Sequence, residues 1–173
     1  MITLITGGIK SGKSSRALES SRAWPRPASF LATAEALDEE MRLRIERHKA
    51  ERAGLGFITI EEPLCLAAAL LESGACVIVD CLTMWVNNIL YYNRKGEFDA
   101  ALDAFIDQLG RKDEVVVVSN ETSLGNIPAD ESARLYNLFL AEANRKTAAA
   151  ADRVELMVAG IPLVVKHEKN PPC

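Results

Sequence analysis

The sequence predicts an α/β fold in which a mostly parallel sheet carries helices on both faces. Two observations lead there. Apolar and β-branched runs at 2–5, 28–32, 56–60, 75–79, 114–119 and 153–158 alternate with stretches of helical period. The first run leads directly into Gly7-Gly8-Ile9-Lys10-Ser11-Gly12-Lys13-Ser14, which fits G-x-x-x-x-G-K-[ST], the pattern of a phosphate-binding loop between a strand and a helix. Its parts have separable tasks. The glycines let backbone N–H groups turn inward on phosphate oxygens, Lys13 brings charge, and the Ser14 hydroxyl is suited to Mg²⁺.

Taken in order, the elements justify themselves. The run at 2–5 is a short apolar strand, and the residues after the loop, 15–23, have helical character. Further helices are expected at 35–53, 63–72, 82–92, 98–109 and 129–151, the last entering after Pro128 and ending in an alanine-rich run. The runs Cys76-Val77-Ile78-Val79 and Val115-Val116-Val117-Val118 lack polar alternation, which predicts central strands buried on both faces. Gly160-Ile161-Pro162 separates 154–158 from 163–165 and reads as a turn into an edge hairpin, where proline is tolerated. Trp85, Ile89, Leu90 and Tyr91 suit either the core or a contact between subunits. A tail at 166–173 is expected to be poorly ordered.

At 173 residues, the chain corresponds to a single domain large enough to bury a core. With 49% hydrophobic and 25% charged residues its composition is that of a soluble globular protein. A formal net charge of -4 gives no basic footprint, so a small-molecule partner is expected rather than nucleic acid. Cys65, Cys76, Cys81 and Cys173 form no C-x-x-C pair and have no histidine at zinc-ligand spacing. They read as reduced thiols, three of them beside apolar segments as small buried hydrophobes. No apolar run is long enough to span a membrane and no leader is apparent, so the expected location is cytoplasmic.

A phosphate-loop fold also needs a carboxylate at the end of a neighbouring strand, to hold Mg²⁺ or its waters opposite the serine hydroxyl. Asp80 directly follows Val77-Ile78-Val79 and is the candidate; its alternative role is to cap the helix expected from Leu82. Open α/β sheets bind ligands at the carboxyl ends of their strands. Asp80, Thr33, Asn120 and Glu121 are therefore expected to converge on one crevice, with Asn120 alternatively serving only to turn the chain.

In the charged stretch 35–52, Leu37, Met41, Ile45 and His48 fall at roughly helical spacing. Spacing alone favours a packing or capping role for His48. Its neighbours Arg44, Arg47, Lys49 and Arg52 would, however, favour a neutral, nucleophilic imidazole and attract phosphates. His167 falls in the expected tail.

Together these residues resemble the bifunctional adenosylcobinamide kinase and adenosylcobinamide-phosphate guanylyltransferase family of cobalamin biosynthesis. The similarity spans nearly the whole chain: the phosphate loop; Ala32-Thr33-Ala34 and Asp38-Glu39-Glu40-Met41; Arg44-Ile45-Glu46-Arg47-His48-Lys49; Thr59-Ile60-Glu61-Glu62-Pro63; Asp80-Cys81-Leu82-Thr83 with Asn87-Asn88; and Ser119-Asn120-Glu121 leading to Gly125-Asn126-Ile127-Pro128. The fold expected is then a P-loop NTPase-like (RecA-like) α/β domain with a C-terminal edge hairpin.

The resemblance implies an enzyme that phosphorylates the aminopropanol hydroxyl of adenosylcobinamide. It then transfers GMP from GTP to that phosphate through a guanylylated histidine, matched here by His48, with GTP or ATP as phosphate donor. Lys13 and His48 are the expected catalytic residues. Gly7, Gly8, Ile9, Lys10, Ser11, Gly12, Lys13, Ser14, Ala32, Thr33, Ala34, Lys49, Arg52, Glu61 and Asp80 are expected to bind nucleotide, with Ser14 and Asp80 holding Mg²⁺. A homotrimer is implied as well. Glu61 alternatively opens the next helix.

Two positions depart from the family pattern. Phe57 stands in the region where a tryptophan is usual, and Glu142-Ala143-Asn144-Arg145-Lys146 keeps only the asparagine of a Gly-Arg-Val-Asn-Gln-like stretch, so no substrate contact is inferred from that helix. The competing activities are a simple phosphate-loop kinase without a covalent intermediate and a GTP-dependent switch.

Overall fold

The computed structural model describes residues 1–122, 124–125 and 127–167. The elements run β1 (Ile2–Gly7), α1 (Lys13–Ser20), β2 (Ala28–Ala32), α2 (Glu39–Arg52), β3 (Phe57–Glu61), α3 (Leu66–Glu72), β4 (Cys76–Asp80), α4 (Leu82–Tyr91), α5 (Phe98–Leu109), β5 (Glu114–Val118), α6 (Glu131–Ala150), β6 (Arg153–Val158) and β7 (Ile161–Lys166). They build one seven-stranded sheet in the order β3-β2-β4-β5-β1-β6-β7. All pairs are parallel except the β6–β7 hairpin at one edge.

The alternation of side chains along each strand divides the core in two. Leu4, Leu31, Val77, Val79, Val115 and Val117 face α3, α4, α5 and α6. Ile5, Phe30, Ile78, Val116 and Val118 face the other way, onto Ala17 of α1 and Trp24. Valine runs in β4 and β5 are apolar throughout because both of their faces are covered, as their sequence predicts. On the larger face Trp85 stacks on Phe98, and both it and Phe105 are buried. Trp85 and Ile89 belong to the core and Leu90 packs against it, whereas Tyr91 is exposed.

Several expected boundaries move. The helix expected from residue 35 begins at Glu39, because the Asp38 carboxylate accepts from the Met41 N–H at 2.7 Å and caps it there. Leu37 consequently lies outside the helix and is exposed. The helix expected at 63–72 starts only at Leu66, since Glu62 Oε1 accepts from the backbone N–H groups of Leu64 and Cys65 and holds a turn before it. The expected tail is shorter by its first residue. Lys166 belongs to β7, its Nζ donating to the carbonyls of Ala148 and Ala149. The remainder of that tail, from 168 onward and including Cys173, lies outside the described residues. Of the other cysteines Cys76 is buried, but Cys65 is exposed and Cys81 half-buried, so burial does not hold for all three.

Candidate active site

Strand register sets the site. Ile5 pairs with Val118, Val118 with Asp80, Asp80 with Ala32 and Ala32 with Glu61, so five carboxyl ends lie along one edge of the sheet. Backbone bonds extend this alignment past the strands: Thr33 N donates to Asp80 O, Ser119 N to Ile5 O and Glu121 N to Gly7 O. The loop after β1 curls over that edge. Lys10 (φ 56°) and Gly12 (φ 93°) adopt the left-handed conformation that bends it. Gly7 must be glycine, because a Cβ there would meet the Met157 carbonyl at 2.6 Å and Ser11 Oγ at 2.7 Å.

Lys13 is largely buried and its Nζ donates to Gly8 O at 2.6 Å, which places the ammonium within the curl. Burial lowers its pKa, against nearby Cys81 and Asp80, which raise it, and with Arg44, which lowers it further. Ser14 Oγ donates to Asp80 Oδ2 at 3.4 Å. The strand bearing Asp80 is not the immediate neighbour of β1, as a simple reading of the motif suggests; β5 lies between them. The loop spans that strand to bring Ser14 over Asp80. Helix α4 is capped at Cys81 without a side-chain bond, so Asp80 does not serve as its cap.

Burial pushes the Asp80 pKa up, opposed by the nearness of His48, the Ser14 hydrogen bond, and the charges of Arg44 and Arg52. Those three α2 residues are spaced four apart, so they share the helix face whose charges act on Asp80 at the end of β4. Burial and the Asp80 charge push the Cys81 thiol up to about 11, which keeps it protonated and unsuited to nucleophilic attack at neutral pH.

A cavity of about 370 Å³ opens between α2 and β3, lined by Lys49, Arg52, Phe57, Thr59 and Glu61 with the Gly54 to Gly56 turn. Arg52 is buried there: its guanidinium lies 4.4 Å from the Phe30 ring centroid and Nε donates to Thr59 Oγ1. Glu61 pairs with Lys49 Nζ at 2.5 Å, and it is Glu62 that organises the following turn. An apolar wall, a carboxylate acceptor and two cationic donors suit a planar heterocycle with N–H groups. On the strand wall Phe57, Thr59 and Glu61 share one face at period two; Glu61 is an expected nucleotide residue, whereas Thr59 stands only within the Thr59 to Pro63 segment of the resemblance and Phe57 only as a departure from it.

A second cavity, of about 430 Å³, lies against Ile9, Lys10 and Ser11 of the loop, with Leu156, Met157 and Val158 opposite. The remaining expected residues have supporting positions. Thr33 is fully buried, its hydroxyl donating to Cys81 O and accepting from Cys81 N, while Ala32 and Ala34 beside it are half-exposed. Asn88 Nδ2 donates to Thr33 O and Pro63 O, tying the ends of β2 and β3 together. Asn120 receives a bond on its carbonyl from Asn144 Nδ2 and donates its N–H to Thr83 Oγ1. Asn144 also accepts from Ser119 Oγ at 2.6 Å, which gives the asparagine of α6 a structural task.

A phosphate loop on β1, a carboxylate on β4 with β5 between them, and helices on both faces define a P-loop NTPase of the RecA-like class. Solved structures share the fold. The flagellar accessory protein FlaH from Methanocaldococcus jannaschii superposes with a TM-score of 0.53 at 11% identity, over 96% of this chain and 78% of that one. A second solved structure, an ATPase domain, gives 0.53 at 12%, over 98% and 78%. The family model described as cobinamide kinase / cobinamide phosphate guanyltransferase matches residues 3–165, and the chain belongs to that family of bifunctional enzymes. Relatives include the bifunctional adenosylcobalamin biosynthesis protein CobP of Pseudomonas aeruginosa, 39% identical over 97% of this chain and 99% of its own. Another is the bifunctional adenosylcobalamin biosynthesis protein CobU of Salmonella typhimurium, 32% identical over 96% and 100%. Among the described residues no helix is long and apolar enough to cross a membrane.

Proposed function

We propose that this chain phosphorylates the aminopropanol hydroxyl of adenosylcobinamide and then transfers GMP from GTP to the product through a guanylyl-His48 intermediate. The observation that carries the reading is the placement of His48 midway along the α2 face that looks onto Asp80, with the base-sized cavity at one end and the phosphate loop beside it. Guanine occupies the cavity, its N–H edge on Glu61, with Lys49 and Arg52 about it. The triphosphate lies along the loop from Gly7 to Ser14, beside the 32–34 turn, with Lys13 on its charge.

Ser14 and Asp80 fit Mg²⁺. They bring a hydroxyl and a carboxylate together at 3.4 Å, two hard oxygen donors, and a divalent ion would offset the desolvation that raises the Asp80 pKa. Among the described residues no three His, Cys, Asp or Glu side chains cluster, which suits an ion that takes its other ligands from phosphate and water. Bound there, Mg²⁺ would neutralise charge developing on the phosphates.

In the kinase half-reaction the loop backbone and Lys13 hold the donor, GTP or ATP, while the acceptor's arm enters by the second cavity, on the Lys10 side of the loop. In the transfer half-reaction the His48 imidazole takes the guanylyl group and the acceptor phosphate removes it, one difficult displacement becoming two. One domain serves both steps, in the cytoplasm, where nucleotides are supplied. The exposed apolar face of β7 is the contact through which the chain forms a homotrimer.

Intact-protein mass after incubation with GTP and Mg²⁺ at neutral to alkaline pH tests the covalent step. A gain of the mass of a guanylyl group in the wild type, absent in His48→Ala, is expected. GTP binding without any adduct would instead favour a simple kinase.

A further inference from the structure

Helix α2 carries six basic or imidazole side chains between residues 42 and 52, and their surroundings differ. Arg42 is held by Glu39 and Glu46, Arg47 by Glu51, and Lys49 by Glu61. Arg52 is packed on Phe30 and Thr59. Among the described residues, Arg44 is the one arginine or lysine of this helix with no hydrogen bond or ion pair, and the His48 imidazole has none either. Arg44 is exposed, yet its charge reaches Lys13, Asp80 and Cys81. Asp80 answers the charges of Lys13, Arg44 and Arg52 together, so the cations here outnumber that carboxylate unless an anion is shared among them.

The order of side chains along the helix indicates which anion. Arg52, His48 and Arg44 follow one another at four-residue intervals, about 6 Å apart along the axis. Arg52 is anchored at the base-sized cavity and Arg44 lies toward Lys13. A nucleoside triphosphate laid along this face with its base in the cavity would bring its α-phosphate to His48. Its β- and γ-phosphates would then fall toward Arg44 and Lys13, whose charges act on one another.

We propose that Arg44 is a catalytic residue of histidine guanylylation, binding the β,γ-diphosphate portion of GTP and stabilising it as it departs. The inference rests on the guanylyl-His48 reading. In the step concerned, a lone pair of the neutral imidazole forms the N–P bond to the α-phosphorus. The bond from that phosphorus to the bridging oxygen breaks, its electron pair leaving on pyrophosphate, and the surplus imidazolium proton passes to solvent. Arg44 faces the group whose negative charge grows, where a guanidinium can engage two phosphate oxygens at once.

Two measurements on the full chain test this. The first uses single-turnover adduct formation. Arg44→Ala is expected to slow guanylylation about 100-fold, and to slow the reverse attack of pyrophosphate on the preformed adduct equally, with Arg44→Lys recovering part of the loss. Wild-type rates in Arg44→Ala would overturn the proposal. The second uses a His48→Ala background, in which no adduct can form, and compares GTP with GMP affinity with and without Arg44→Ala. A loss of about tenfold or more for GTP with GMP unchanged supports the contact, whereas equal losses for both, or none, overturn it. Absence of any adduct in the wild type would count against the guanylyl-histidine reading, and the GTP-to-GMP affinity ratio would still decide the Arg44 contact.

Discussion

Asp80 is a carboxylate whose burial disfavours its own charge, and that conflict has a measurable sign. Its folded-state pKa is raised above the ordinary value of about 3.9. Below that value both folded and unfolded chains are protonated and the conflict costs nothing. As pH rises from there to the folded-state pKa the cost grows, and above it the cost is constant. Asp80→Asn is therefore expected to raise the melting temperature of the nucleotide-free protein at neutral pH, by about 2–4 °C for each kcal/mol of penalty relieved. The same substitution should weaken Mg²⁺-dependent GTP binding. Thermal melts between pH 4.5 and 7.5, paired with GTP titrations, check both; a lower melting temperature in the variant would refute the first. The sequence made Asp80 a candidate because a lone aspartate after an apolar run is costly without a compensating partner. It named Arg44 only as one of four cations around His48 that attract phosphates, since nothing in the spacing of a charged helix distinguishes a paired arginine from an unpaired one.

At the scale of elements, the phosphate-loop helix is fastened to the sheet by an ion cluster that motif reading passed over. Glu155 of β6 is buried and takes two bonds from Arg16 of α1, at 2.8 and 2.9 Å, and one from Arg153 at 2.8 Å. The Arg16 hydrogen bond lowers the Glu155 pKa, against burial and with help from Arg153. A lowered carboxylate pKa contributes stability that is present above the unfolded value of about 4.3 and is lost as pH falls through the folded one. Glu155→Gln is expected to destabilise the protein by about 3 kcal/mol at neutral pH, with a smaller loss in acid, as chemical denaturation at the two pH values would reveal. An unchanged denaturation midpoint would show that the clamp contributes little. Strand β6 was expected at its observed bounds, but Glu155 read only as one polar residue within it, because its two partners lie on α1 and two positions away on the same strand. The start of α2 was misplaced for a more local reason. The acidic run at 38–40 suits a helical first turn, and which carboxylate caps it depends on where the preceding chain leaves the sheet.

The whole molecule ends its sheet on a strand with little cover. Ile161, Leu163 and Val165 alternate along β7 and are 70%, 57% and 63% exposed. An apolar edge strand of this kind invites pairing or burial against another chain. If it forms the proposed trimer contact, the wild type will show the mass of three chains by light scattering, and Leu163→Lys with Val165→Lys will shift it toward one chain. A wild type that is monomeric at micromolar concentration would refute the assembly. Local information was sufficient for the features that are contiguous in sequence. The phosphate loop is eight consecutive residues, the central strands declare themselves by unbroken apolar runs, and the C-terminal hairpin by Gly160, although Ile161 and Pro162, expected in the turn, already pair within β7. Tertiary structure alone decided that β5 intervenes between β1 and β4, that Glu61 meets Lys49 rather than opening a helix, and that Arg44, His48 and Arg52 look onto one strand end. The physical reason is common to all three: strand order and helix docking are set by how apolar faces are buried together, and those faces belong to residues far apart in the chain.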